Sequence, residues 1–215
     1  MQLNKKSKST HYFWSSIYAK KYILKNSRFN WAKGDKAWRI MLSKAKNIKS
    51  ILECGSNIGR NIKMLNGVLP AAEKSIIEIS EPAFKIATKK YKLVHASNCA
   101  IEDSKIPNKF DLVFTMGVLI HVRNKDLKKV VSKMFNYSKK YILIGEYFNR
   151  TPIMLKYQGL DNKLFKRDFG KFIMSKFSVE LVDNGFLWSH LFEDAGFDDI
   201  TWCLFRKKPF KNKKH

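Results

Sequence analysis

Five short apolar runs divide the first two-thirds of this chain: Ile48–Cys54, Ser75–Ile79, Lys92–Ala96, Phe110–Thr115 and Lys140–Tyr147. Between several of them lie stretches with helical spacing, Asn61–Leu69, a segment opening at Glu81-Pro82, and Lys125–Tyr137. Continuous apolar strands alternating with helices need a parallel sheet covered on both faces. Two further runs, Val179–Trp188 and Ile200–Arg206, have no long helix between them. Strands joined without a crossover pair antiparallel. The expected fold is α/β: a doubly wound, seven-stranded sheet with an antiparallel last strand. Ahead of it, His11–Lys46 reads as helical with a break at Asn26-Ser27, because Trp14, Ile17, Tyr18 and Tyr22, then Trp38, Met41 and Leu42, fall near helical spacing. The division predicted is a helical cap over 1–47 and a main domain over 48–215. Segment 150–178, rich in Lys, Phe, Tyr and Leu, is an insertion in that domain.

The chain of 215 residues carries 42 Lys+Arg against 18 Asp+Glu, a formal charge of +24. The excess sits at the ends. Residues 1–50 hold 13 Lys+Arg against one acid, Asp35, and residues 206–215 hold six against none. Of the 42, 35 are Lys, whereas specific phosphate and base readout favours the Arg fork. The charge therefore points to attraction of a small anionic acceptor more than to nucleic acid. No run approaches the ~20 apolar residues of a membrane span. Cys54, Cys99 and Cys203 form neither a metal spacing nor a disulfide framework, so no metal is expected. With no signal-type apolar core near the N-terminus, a cytoplasmic location is expected.

The chemistry concentrates at Glu53-Cys54-Gly55-Ser56-Asn57-Ile58-Gly59-Arg60-Asn61, between a strand and a helix. Glycines there let a ligand approach the main chain, at the carboxyl edge where such sheets bind ligands. No Gly-Lys-Ser/Thr follows, and Glu53 would repel a pyrophosphate but suits an ammonium or sulfonium group. Glu78 ends the next strand, 19 residues after Gly59, where a carboxylate accepts two hydrogen bonds from a ribose diol. An adenosine ligand with a cationic tail satisfies both acids, and S-adenosylmethionine is that ligand.

The chain resembles class I S-adenosylmethionine-dependent methyltransferases, which have a Rossmann-like sheet. Within them it is most similar to small methyltransferases associated with pseudaminic acid biosynthesis. The resemblance is carried by Phe13-Trp14, Leu52–Asn61 (LECGSNIGRN), Ile77–Ile79, Gly117–Val122 (GVLIHV), Tyr141–Asn149 (YILIGEYFN), Thr151-Pro152, Lys163–Phe169 (KLFKRDF), Val182–Phe186 (VDNGF) and Asp199–Trp202 (DITW). It implies that Gly55 and Gly59, with Glu53, Asn57 and Asn61 around them, hold the methionine portion. It places Glu78 and Ile79 at the ribose, Ser97 and Asn98 at the adenine, and Met116 and Gly117 beside the sulfonium. Many relatives carry Asp where Ser97 stands.

Methyl transfer from a sulfonium is an in-line displacement, so alignment matters most, and a base is needed where the acceptor loses a proton. His121, Glu146 and Tyr147, after the fourth and fifth strands, are the candidate catalytic groups. Asn149, Tyr157 and Arg167 are the candidate acceptor contacts, Arg167 as a bidentate grip on a carboxylate or phosphate, or else in a surface ion pair with Asp168. Phe165, Phe169 and Phe172 share one helical face by spacing, and Tyr12, Phe13 and Trp14 are placed to lid the cofactor or pack in the core. His190 is a further loop candidate. The expected acceptor is a sialic-acid-like sugar or its nucleotide-activated form, used in surface-glycan biosynthesis. RNA methylation, favoured by the basic ends, and ligand binding without catalysis on the same fold are the competing readings.

Overall fold

The computed structural model describes residues 14, 17–157 and 160–209. Strands β1 (Ser50–Cys54), β2 (Glu73–Ile77), β3 (His95–Ser97), β4 (Phe110–Met116), β5 (Ser138–Glu146), β8 (Val179–Leu187) and β9 (Ile200–Lys207) form one sheet. Its order is β3-β2-β1-β4-β5-β9-β8, and a separate two-stranded sheet joins β6 (Ile153–Tyr157) to β7 (Leu160–Lys166). The first five strands pair in parallel, and β9 runs antiparallel to both β5 and β8. The expected fold is the observed one.

Alternate strand residues feed two layers, as a two-residue period requires. Leu52, Val113, Ile142 and Ile144 pack against Leu127, Val130, Val131 and Met134. The last four come from the helix Asn124–Tyr137. On the other face Ile51, Leu112, Phe114 and Leu143 pack against Trp38, Met41, Met64 and Leu65. Trp38 meets Phe114 edge-on, their ring centroids 4.8 Å apart. Every residue of β1 and β4 is buried, which is why those strands read as unbroken apolar runs.

The helices are α1 (Ile17–Asn26), α2 (Asp35–Met41), α3 (Arg60–Val68), α4 (Glu81–Lys90), α5 (Asn124–Tyr137), α6 (Phe169–Lys176) and α7 (Ser189–Phe192). The break expected at Asn26-Ser27 falls where α1 ends. Helix α2 carries Ala37, Trp38 and Met41 into the core. β1 begins at Ser50 rather than Ile48, because the Lys49 and Ser50 amides both donate to Asp111 Oδ2 (2.8 and 3.0 Å). β3 keeps only three residues and is displaced toward Ser97.

The insertion corrects one expectation. Phe165, Phe169 and Phe172 do not share a helical face: Phe165 lies on β7 and α6 starts at Phe169. The divider is Asp168, whose Oδ1 accepts the Lys171 amide (2.8 Å) and caps the helix. No helix among the described residues is long and apolar enough to cross a membrane.

Candidate functional site

The sheet order reverses between β1 and β4, and the glycine turn and the Met116–Val122 loop leave the sheet on either side of that reversal. Open α/β sheets bind ligands at such a switch point. Gly55 takes a positive φ of 84°, and a Cβ there would stand 2.6 Å from the Val118 side chain. Only glycine lets the two loops close on each other in this way. The Gly55 amide donates to the Ile77 carbonyl (2.8 Å), tying the turn to the end of β2.

Glu78 anchors the backbone on both sides of itself. Its Oε2 accepts the Asn57 amide (2.6 Å) and its Oε1 the Ser80 amide (2.7 Å). Asn57 is one of two described non-glycine residues with positive φ, and the buried carboxylate holds it there. Burial pushes the Glu78 carboxyl up, opposed by the Ser80, Asn57 and Ile79 amides. Under the turn, Asn61 Nδ2 donates to Glu53 Oε1 (2.7 Å), while Glu53 Oε2 and Asn61 Oδ1 have no partner. Asn61, which lines the cleft, thus keeps an open acceptor for a donor such as an ammonium group, with Glu53 behind it.

Asn57, Asn61 and Glu78 line a cleft that is partly open to solvent. Its walls include Gly55, Ser56, Asn57, Asn61, Glu78, Ile79, Met116 and Gly117. Gly117 has a φ of 67° and nothing within 4 Å of the place its Cβ would take, so the backbone opens a cradle that a side chain would fill. Glu53 lies beneath Asn61 and is not part of the lining. Ser97 and Asn98 also miss it. The Ser97 carbonyl accepts the Glu78 amide (3.0 Å), and Asn98 Nδ2 donates to the Glu78 carbonyl (2.8 Å). The next residues, Cys99–Glu102, form that wall instead. The shift arises because β3 ends at Ser97, with a short 3-10 turn at Ile101–Asp103 swinging the chain over the cleft.

At the other end the cleft is walled by Trp14, Tyr22 and His121. The His121 ring lies 4.7 Å from Trp14 and 5.0 Å from Tyr157, centroid to centroid. His121 Nδ1 is 2.6 Å from the Lys163 carbonyl, which can only accept, so Nδ1 carries the proton. That leaves Nε2 as the lone-pair nitrogen. Burial pushes the imidazole down to about 4, so it is neutral at physiological pH. Tyr12 and Phe13 lie outside the described residues. Trp14 and Tyr22, brought in by the N-terminal segment and α1, supply the lid side of the cleft.

The remaining candidates are placed elsewhere. Glu146 is fully buried, accepting from Thr115 and from the amides of Val118 and Ile120, and does not line the cleft. The Tyr147 hydroxyl donates to Asp198 (2.7 Å), which with burial raises its pKa strongly. Asn149 donates to the Thr151 carbonyl on an exposed loop. Arg167 is 5% exposed, its Nη2 donating to the Val122 carbonyl (3.1 Å) and its guanidinium over the Phe165 and Phe169 rings. It is not among the residues lining the cleft and does not pair with Asp168, and its Nε and Nη1 have no partner among the described residues. His190 stacks on Trp188, away from the cleft.

Two of the buried acids set a pH dependence. Burial raises the Glu53 carboxyl to about 8, opposed by the Asn61 hydrogen bond, and the Glu146 carboxyl to about 7, opposed by its amide donors. Both bind a proton more tightly folded than unfolded. Their contribution to stability is full below about 4.5 and is lost as pH rises through 7 to 8. His121 has the opposite sign, its contribution growing with pH between about 4 and 6.5. Above 6.5 only the acids of this set still change. The melting temperature of the ligand-free protein should therefore fall from pH 6.5 to 8, and Glu53→Gln should flatten the fall. Thermal scans showing a level or rising profile would contradict the buried neutral carboxyls.

Residues 51–140 match the family described as a methyltransferase domain. No curated protein sequence matches the chain significantly. Among solved structures, a S-adenosylmethionine-dependent methyltransferase from Leishmania major aligns with a TM-score of 0.72 at 16% identity, over 91% of this chain and 81% of that one. The 1,6-didemethyltoxoflavin-N1-methyltransferase of Burkholderia thailandensis, with bound 1,6-didemethyltoxoflavin and S-adenosylhomocysteine, aligns with a TM-score of 0.69 at 11% identity, over 97% and 93%. Magnesium protoporphyrin IX methyltransferase from Synechocystis PCC 6803, with bound S-adenosylmethionine, aligns with a TM-score of 0.62 at 13% identity, over 97% and 99%. At these identities the solved structures establish the fold. The matched domain makes the chain an enzyme of methyl transfer, with S-adenosylmethionine as donor. The open Asn61 Oδ1, the carboxylate of Glu78 and the Gly117 cradle fit that donor's ammonium, ribose and tail.

Proposed function

We propose that this protein methylates a small anionic acceptor, a sialic-acid-like sugar or its nucleotide-activated form, with His121 as the general base. The observation that carries the reading is a single cleft running from Gly55, Glu78 and Gly117 to Trp14, Tyr22 and His121. Donor and acceptor thus share one enclosure, the arrangement an in-line displacement needs. Bound S-adenosylmethionine supplies the methyl group on a positively charged sulfur. Glu78 orients the ribose, and Asn61, braced from behind by Glu53, faces the ammonium end. The aromatic rings exclude water on the acceptor side and give a sugar flat apolar faces to lie against. Nε2 of His121, unprotonated in this tautomer, would take the acceptor's proton while the methyl carbon exchanges its bond to the donor sulfur, which leaves as a neutral thioether, for a bond to the acceptor. The anionic character of the acceptor rests on the chain's +24 charge, and its sugar-acid identity rests on the resemblance of the sequence motifs.

Mass spectrometry after incubation with labelled S-adenosylmethionine tests the reading against three pools: anionic sugars, nucleotide sugars and total RNA. A methylated sugar acid or nucleotide sugar is the expected product. Methylated RNA, together with RNA binding that weakens steeply with salt, would replace this reading with the nucleic-acid one. Donor binding with no methylated product in any pool would overturn the assigned acceptor class.

A further inference from the structure

The loop that divides the two halves of the cleft, Gly117–Val122, has little regular structure of its own, only a 3-10 turn at Leu119–His121. Its backbone groups still need partners, and buried amides without partners are rare. The Gly117 amide donates to the Gly145 carbonyl, and the His121 and Val122 amides to the Val118 and Leu119 carbonyls within the loop, while the Val118 and Ile120 amides find theirs in one side chain. Glu146, at the end of β5, is 1% exposed and receives Thr115 Oγ1 (3.0 Å) and the Val118 amide (3.2 Å) on Oε1, and the Ile120 amide (3.1 Å) on Oε2. All three partners donate, so the position calls for a group that only accepts. From the opposite side the insertion grips the same loop, through Arg167 Nη2 on the Val122 carbonyl and the Lys163 carbonyl on His121. The loop held in this way presents Gly117, Val118 and His121 to the cleft, and Val118 fills the space where a side chain at position 55 would stand.

We propose that Glu146 is a positioning residue: it fixes the Val118–His121 backbone so that the donor cradle and the base keep their places across the cleft. It touches neither donor nor acceptor. Arg167 is its counterpart on the acceptor side, holding the loop's end rather than the ligand. This carboxylate, buried at the edge of the sheet, takes two loop amides and one hydroxyl from the neighbouring strand, so it ties the loop to the end of β4. The inference rests on the donor half of the functional reading.

The test measures S-adenosylmethionine affinity by calorimetry alongside amide hydrogen exchange. Glu146→Ala should weaken binding about 30-fold, since three buried hydrogen bonds go. Glu146→Gln keeps the volume but turns an amide N–H₂ toward a donor, and should cost about fivefold. Thr115→Val, which removes one partner, should cost about threefold. Exchange should quicken at the Val118 and Ile120 amides while those of Leu52 and Val113 stay protected. If the alanine variant does not fold, the glutamine and valine variants decide the matter. Wild-type affinity in those two, or exchange that quickens uniformly, would assign Glu146 to fold stability alone and overturn the proposal. Failure of the wild-type protein to bind the donor would remove the donor reading, and the inference with it, at an earlier step.

Discussion

Glu78→Ala is expected to weaken S-adenosylmethionine binding by about 3 kcal/mol, roughly 100-fold, with the fold retained. The loss has two parts. Each carboxylate oxygen holds one backbone amide, Asn57 or Ser80, and has a second lone pair for a ribose hydroxyl. Removing it takes away the charged acceptor for the diol. It also leaves two amides unpaired, one on a residue at a φ of 48° that the carboxylate holds in place, the other at the start of α4. The second part is invisible in the sequence, where Glu78 is only an acid ending a strand. Glu78→Gln retains one acceptor oxygen and should fall between wild type and alanine. Calorimetric affinity within about threefold of wild type in the alanine variant would refute the ribose assignment.

His121→Ala is expected to lower kcat by about 100- to 1000-fold while leaving donor affinity within a few-fold of wild type. The split is a consequence of geometry. His121 stands at the aromatic end of the cleft, and its Nδ1 proton is committed to the Lys163 carbonyl. The nitrogen that remains is a lone pair, and the ring's pKa of about 4 keeps it unprotonated from pH 5 upward. The wild-type rate should accordingly show no acid limb from this residue between pH 5 and 8. Truncation also leaves the Lys163 carbonyl without its donor, so His121→Asn serves as the control that keeps a polar side chain of smaller size. A kcat within threefold of wild type in both variants would remove the base from the mechanism. A limb at pH 6–7 that disappears on substitution would keep the base and overturn its depressed pKa.

The glycine turn and Glu78 at the cleft were legible in the residue order, because they depend on local features. A strand, a glycine turn and a helix are consecutive in the chain, and Glu78 comes at the end of the next strand. The acceptor half was only partly legible. His121 was found in the loop after β4, but its neutral tautomer depends on a carbonyl 42 residues away. Glu146 was recognised as an acid at the carboxyl edge, yet side-chain direction at a strand end cannot be read from position. It points into the protein and not into the cleft. Arg167 carried the same ambiguity, and two phenylalanines that the spacing placed on a helix enclose it from a strand and a helix start. Cys99–Glu102 were missed for a shift of two residues, since the end of a three-residue edge strand leaves little pattern to count from.

What the sequence determined by itself is the architecture and the place of the glycine turn and Glu78 at its carboxyl edge. Unbroken apolar strands can be buried only by layers on both faces, and the chain has helices enough to supply them. Seven strands, their directions and the glycine turn come from periodicity and connection length. What only the tertiary structure decided is which polar groups meet the ligand and which hold the residues that do. That division depends on long-range hydrogen bonds among Glu146, the Met116–Val122 loop and the β6–β7 hairpin. Such bonds form because buried amides and carbonyls must be satisfied by whatever the fold brings near, and no periodicity in the chain records that partner.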